Sequence, residues 1–149
     1  MKRKFTAVAA AGCALCMAAA PATADQTIKY KGKADPDGRV SFKLMKGDGK
    51  QKVDGFKWAK IPVDCGGKGE QSTSNRLGFA IKVKSDKTFE TKAVLGPADA
   101  PDAKVKLEGT LKGKSSSGII RIRGKNLPLD NGKTGDCKSG PIDWFAERQ

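Results

Sequence analysis

The chain contains no histidine, four cysteines, one tyrosine and two tryptophans in 149 residues. Each shortage removes a class of chemistry. Without imidazole the commonest general base is missing, and neither a Ser-His nor a Cys-His nucleophile can be assembled. Zinc sites are built mainly from Cys and His, and the donors present are too few for one. Paired carboxylates are the remaining acid–base option. Asp35 and Asp37 share a turn, and Asp130 and Asp136 flank a glycine-rich loop, but no spacing brings two carboxyls to the separation that glycoside hydrolysis needs. The segments "DPDG" and "DNGKTGD" lack the ligand spacing of a calcium loop and are read as turns. No catalytic residue, metal ligand or cofactor site is therefore predicted, and the chain is read as a non-enzyme.

Long apolar runs are also missing, apart from one at the start. "MKRKFTAVAAAGCALCMAAAPATADQ" has a basic stub (Lys2, Arg3, Lys4), an apolar run over 5–20, a helix-breaking Pro21, and Ala22-Thr23-Ala24 ahead of Asp25. This is the pattern of a secretory signal peptide over 1–24 with a small-x-small cleavage site. The run is too short and too rich in small residues for a membrane span. Neither Cys13 nor Cys16 has a leucine three positions upstream, so lipidation is not expected. Residues 25–149 are then one exported domain, large enough for a single core.

Acid is scarce as well. Lys and Arg number 29 against 16 Asp and Glu. Three of the cations and none of the acids lie in the presequence, which leaves a net charge of +10 on the exported part. A cation of that size is drawn to anionic polymers and surfaces, with an affinity that falls as salt rises. The cut also leaves only Cys65 and Cys137, which in an oxidising compartment pair with each other. Their disulfide would close a loop of roughly 70 residues, for which chain entropy gives on the order of 4 kcal/mol.

What is present is period-two alternation. Strands are predicted over 27–34, 39–46, 53–65, 76–85, 87–95, 104–113, 118–125 and 142–148. Turn residues at 35–38, 47–50 and 115–118 punctuate them, and longer loops fall at 66–75, 96–103 and 126–136. The fold class is all-β, a single antiparallel β-sandwich or barrel of about eight strands with one disulfide. Parity turns Phe42, Leu77, Phe79, Phe89, Leu107, Ile120, Ile142 and the core anchor Trp144 inward. The opposite parity carries Lys29, Lys31, Lys43, Lys82, Lys84, Lys104, Lys106, Arg121 and Arg123, the candidate anion-binding residues. Tyr30, between two of these lysines, is the one aromatic expected to be exposed. In the third strand, Phe56 and Trp58 disagree in parity with Ile61, Val63 and Cys65, which predicts a β-bulge near Ala59-Lys60.

The segments "YKGKADPDGRVSFKL", "VDGFKW", "LEGTLKGKSSSGIIRI" and "CKSGPIDWFAER" together resemble an uncharacterised family of small secreted bacterial β-domains. Its most specific mark is a C-terminal Cys-x-Ser/Thr-Gly-x-x-x-Trp-x-Ala-x-Arg motif, matched here by residues 137–148. The resemblance implies secretion, a β fold and a disulfide, and implies no activity.

The expected function is a secreted or envelope-associated, monomeric binding module that attracts an anionic cell-envelope polymer or polysaccharide through its lysine-rich strand faces. Loops 66–75 and 126–136 would add selectivity. Specific nucleic-acid binding is not expected, because the aromatics needed as base-stacking platforms fall mostly on core parity. Two alternatives are a protease inhibitor acting through the proline-containing loop 96–103 and a small-ligand-binding β-barrel.

Overall fold

The computed structural model describes residues 25–67, 69–97 and 101–149. The expected signal peptide over 1–24, and the centre of loop 96–103, lie outside the described residues. Among these, no helix is long and apolar enough to cross a membrane.

Ten antiparallel strands form one sheet: β1 Gln26–Ala34, β2 Gly38–Gly47, β3 Lys50–Val63, β4 Gln71–Arg76, β5 Ile81–Lys82, β6 Thr88–Leu95, β7 Ala103–Lys112, β8 Ser115–Pro128, β9 Thr134–Lys138 and β10 Ile142–Arg148. Their order is β4-β3-β2-β1-β10-β8-β7-β6, with β5 added to β3 and β9 to β8. The hydrogen-bonded ladder does not return to its first strand, so the sheet is not a closed barrel. It coils instead, and its two margins are laced together by shorter contacts. Asp64 and Lys138 exchange backbone hydrogen bonds of 2.9 Å. The Thr73 hydroxyl donates to the Pro128 carbonyl at 2.7 Å. The Asp130 amide donates to the Ser72 carbonyl at 2.9 Å. The Cys65–Cys137 disulfide, 72 residues apart in sequence, ties β9 to the segment just past β3.

Coiling gives the apolar face something to pack on. Tyr30, Phe42 and Phe56 stack at 4.9 and 5.6 Å between ring centroids. Trp144 meets Phe56 edge-on at 5.4 Å and Phe89 at 6.1 Å. Strands from both halves of the sheet thus meet in one aromatic cluster, each pair adding about 0.5–1.5 kcal/mol beyond its area burial. Gly109 leaves the notch for it. A Cβ there would collide with Phe89 and come within 2.7 Å of Trp144 Cζ2.

Strand β3 is where parity is broken twice. Its pairing with β4 carries one extra residue between Trp58 and Ile61, and Lys60 there has φ +55°. This is the bulge the alternation demanded, and it returns Phe56, Trp58, Ile61, Val63 and Cys65 to the core together. A second bulge faces β2 between Asp54 and Lys57, where Gly55 takes φ +58°. It reconciles Val53 with Phe56, whose separation of three is incompatible with a regular strand.

Several expectations are corrected. Tyr30 is 2% exposed, not an outward platform. Its hydroxyl donates to the Gly113 carbonyl at 2.8 Å, which satisfies the one polar atom that would have resisted burial, and that burial raises its pKa despite nearby Arg148. Phe79 is 45% exposed, because the strand expected over 76–85 survives only as Ile81–Lys82 and residues 77–80 form a connection. Ile142 is half-buried at the margin of the core. The strand count rises from about eight to ten because β4 and β9 begin in the segments 66–75 and 126–136 that composition marks as loops and run past their ends. The all-β antiparallel class and the single disulfide stand.

Three substitutions check this account by denaturant unfolding. Gly109→Ala lowers stability by about 1–3 kcal/mol through overpacking. Lys60→Gly raises it by roughly 1 kcal/mol, since glycine removes the left-handed penalty. Replacing both Cys65 and Cys137 by alanine lowers it by about 2–5 kcal/mol.

Candidate anion-binding face

Antiparallel register determines which outward side chains stand beside each other. Across β6, β7, β8 and β9 one row reads Val94, Lys104, Arg123, Lys138. The next row, two residues along, reads Lys92, Lys106, Arg121. The row after that, continuing onto β10, reads Glu90, Glu108, Ile119, Asp143. Beyond it come Thr88, Thr110, Ser117, Phe145, Lys33 and Arg39. The outer face is therefore banded by charge, with two cationic rows side by side and an acidic row along one flank.

Directly opposed residues in such a ladder have Cα atoms about 4.5–5.5 Å apart. Like charges at that spacing destabilise the sheet by up to about 1 kcal/mol per pair. Lys104 against Arg123, Arg123 against Lys138, Lys92 against Lys106 and Lys106 against Arg121 are all of this kind. A sheet that needed only solubility would alternate the signs.

The two cationic rows differ in how they are held. Glu108 Oε1 pairs with Lys106 Nζ at 2.5 Å, and its Oε2 lies 3.7 Å from Arg121 Nη1. The hydrogen bond from Lys106, with the Lys106 and Arg121 charges, holds the Glu108 carboxyl below the usual range. Glu90 is lowered in the same way by Lys84, 2.6 Å away. Among the described residues, Lys104, Arg123 and Lys138 make no ion pair. Grooves of about 450 and 810 Å³ lie on either side of these three, and all three line both.

Of the nine sequence-predicted cations, Lys104, Lys106, Arg121 and Arg123 are brought together here. Lys29 and Lys43 face each other on β1 and β2, opposite Asp54 on β3, and Lys31 lies opposite Glu147. Lys82 and Lys84 belong to a separate cleft under the β2–β3 hairpin, where Lys84 is paired with Glu90. Two residues of the face were missed. Lys92 was readable from parity, since Phe89 and Ala93 point inward. Lys138 was not, because β9 begins in a segment read as a loop and ends in residues assigned to no strand. Trp144 lies 3% exposed beneath β10, on the core side.

Comparison with family models, with characterised proteins and with solved structures finds no match to this chain.

Because the folded-state pKa of Glu108 is depressed, its ion pairs stabilise the sheet above the ordinary glutamate range and are lost as pH falls through the folded value. Acidification through that depressed value frees Lys106 and Arg121, so retention on a sulfated polymer, which stays ionised, strengthens. Glu108→Gln reproduces that gain at neutral pH and flattens the pH profile, measured by the salt concentration needed for elution from dextran sulfate.

Proposed function

We propose that the protein is an exported, non-catalytic module that binds an anionic polymer or surface of the cell envelope through the β6–β9 face. The observation that carries this reading is the placement of like charges in direct cross-strand register with an unpaired line of three among them. An arrangement that costs stability in the free protein is relieved when an anion lies across it. The basic stub, apolar run and small-x-small site of residues 1–24 read as a signal peptide and support export. The absence of imidazole from the sequence supports a binding role over catalysis, as does the engagement of the facing carboxylates Glu90 and Glu108 in ion pairs with Lys84, Lys106 and Arg121, and the aromatic packing of the interior supports a surface site over an internal cavity.

Binding of this kind is electrostatic and weakens with salt, yet it depends on where the charges are. The triple variant Lys104→Ala, Arg123→Ala, Lys138→Ala and the triple variant Lys29→Ala, Lys31→Ala, Lys43→Ala lose the same three charges. Elution from dextran sulfate moves to markedly lower salt for the first and shifts little for the second. Equal shifts would mean that net charge alone governs retention and would contradict the assignment of this face.

A further inference from the structure

The cationic line ends at Lys138, with Asp64 opposite it in an antiparallel bridge and Asp136 on the far groove, and the next residue contributes a fourth donor. Ser139 is clamped to β8 twice. Its amide donates to the Ile122 carbonyl at 2.7 Å, and its Oγ accepts the Ile122 amide at 2.8 Å. The second bond fixes the oxygen by a lone pair and leaves the hydroxyl proton to be donated. Ser139 lines the same groove of about 450 Å³ as Lys104, Arg123 and Lys138. The clamp also holds Lys138 opposite Arg123, although β9 ends at that residue.

Resting on the anion-binding reading of this face, we propose that Lys104, Arg123, Lys138 and the Ser139 hydroxyl form a site for a phosphate monoester group carried by the ligand. The chemistry of the donors selects it. A carboxylate offers two coplanar oxygens and one charge, and a phosphodiester offers two free oxygens and one charge. A phosphate monoester offers three terminal oxygens and about 1.5–2 charges at neutral pH. Three cations on three adjacent strands exceed what one single charge can compensate. Arg123, in the middle, supplies a planar fork that bonds two phosphate oxygens at once, and the lysines on either side and the serine hydroxyl reach the remaining lone pairs. One row away Glu108 offsets one of the three charges of Lys92, Lys106 and Arg121, so the neighbouring row adds to the positive field around this line. Ser139, the residue after the disulfide's β9 strand, thereby acquires a role that the disulfide and Trp144 leave unexplained.

The test uses the disulfide-bonded protein purified from an exporting host, at fixed salt and pH 7.5. Two monoester probes are dextran phosphate and phosphatidylcholine vesicles containing phosphatidic acid. Their charge-matched controls are carboxymethyl dextran and vesicles containing phosphatidylglycerol. At least tenfold tighter binding to a monoester probe than to its control supports the site, and a preference confined to one carrier identifies a glycan or a lipid source. Arg123→Lys, which keeps the charge, loses most of that preference. Ser139→Ala weakens monoester binding several-fold while Ser139→Thr retains it, with thermal unfolding of each variant confirming the fold. Equal binding to monoester and control would overturn the phosphate site and leave the anion-binding face intact. Failure to bind any of the four probes would overturn both.

Discussion

A sheet with one apolar face and, among the described residues, no helix to cover it can bury that face only against itself, and this constraint shapes the rest of the molecule. The ten strands curl until Tyr30, Phe42 and Phe56 from one half meet Phe89 and Trp144 from the other. Curling needs local breaks in the pleat, and β3 supplies two, at Gly55 and Lys60. It also needs the margins held, which falls to the Cys65–Cys137 disulfide and the hydrogen bonds joining β4 to the end of β8. Trp58 and Trp144 bury indole N–H groups without hydrogen-bond partners among the described residues. Each such donor costs about 1–3 kcal/mol, so the packing gained by the rings outweighs an unmet polar demand.

The same constraint determines the surface. Once alternate residues are committed to the aromatic core, the remaining residues must face solvent, and antiparallel register sets their neighbours without regard to sign. On β6 to β9 that register aligns cations with cations in two rows and acids in a third. The β1–β2 side carries many lysines too, but there Asp54 and Glu147 are interleaved with them. Cationic charge is therefore spread over the whole molecule, and on β6 to β9 it is gathered into two adjacent rows. A function that depends on those rows, and not on the total, follows from the geometry of pairing.

Much of the fold was legible because alternation is a strong signal where one face is dry. The parity conflict between Trp58 and Ile61 located the Lys60 bulge, and two leftover cysteines identified the disulfide. The Gly55 bulge was equally readable, since Val53 and Phe56 cannot share a face on a regular strand. Other features were hidden for physical reasons. Strands β4 and β9 are polar (Gln71–Arg76 and Thr134–Lys138), paired at the margins, and bury little beyond Thr73 and Cys137. Their signal is the ladder itself, which composition does not carry. Tyr30 was misplaced because its flanking lysines mask its inward parity and because its acceptor, the Gly113 carbonyl, is 83 residues away. The candidate face was half readable. Parity turned Lys104, Lys106, Arg121 and Arg123 outward, but only register shows that they adjoin one another and Lys138.

The central claim is that arrangement, and not net charge, makes this face a binding site. Exchanging Lys104 and Glu108 on β7 leaves composition and net charge unchanged while placing a carboxylate between Val94 and Arg123 and a lysine in the acidic row. The measurement is the dissociation constant of dextran phosphate for the wild-type and exchanged proteins at one salt concentration. The account predicts that the exchanged protein folds as stably as the wild type or more so, and binds at least tenfold more weakly. Unchanged affinity in a folded exchanged protein would contradict it.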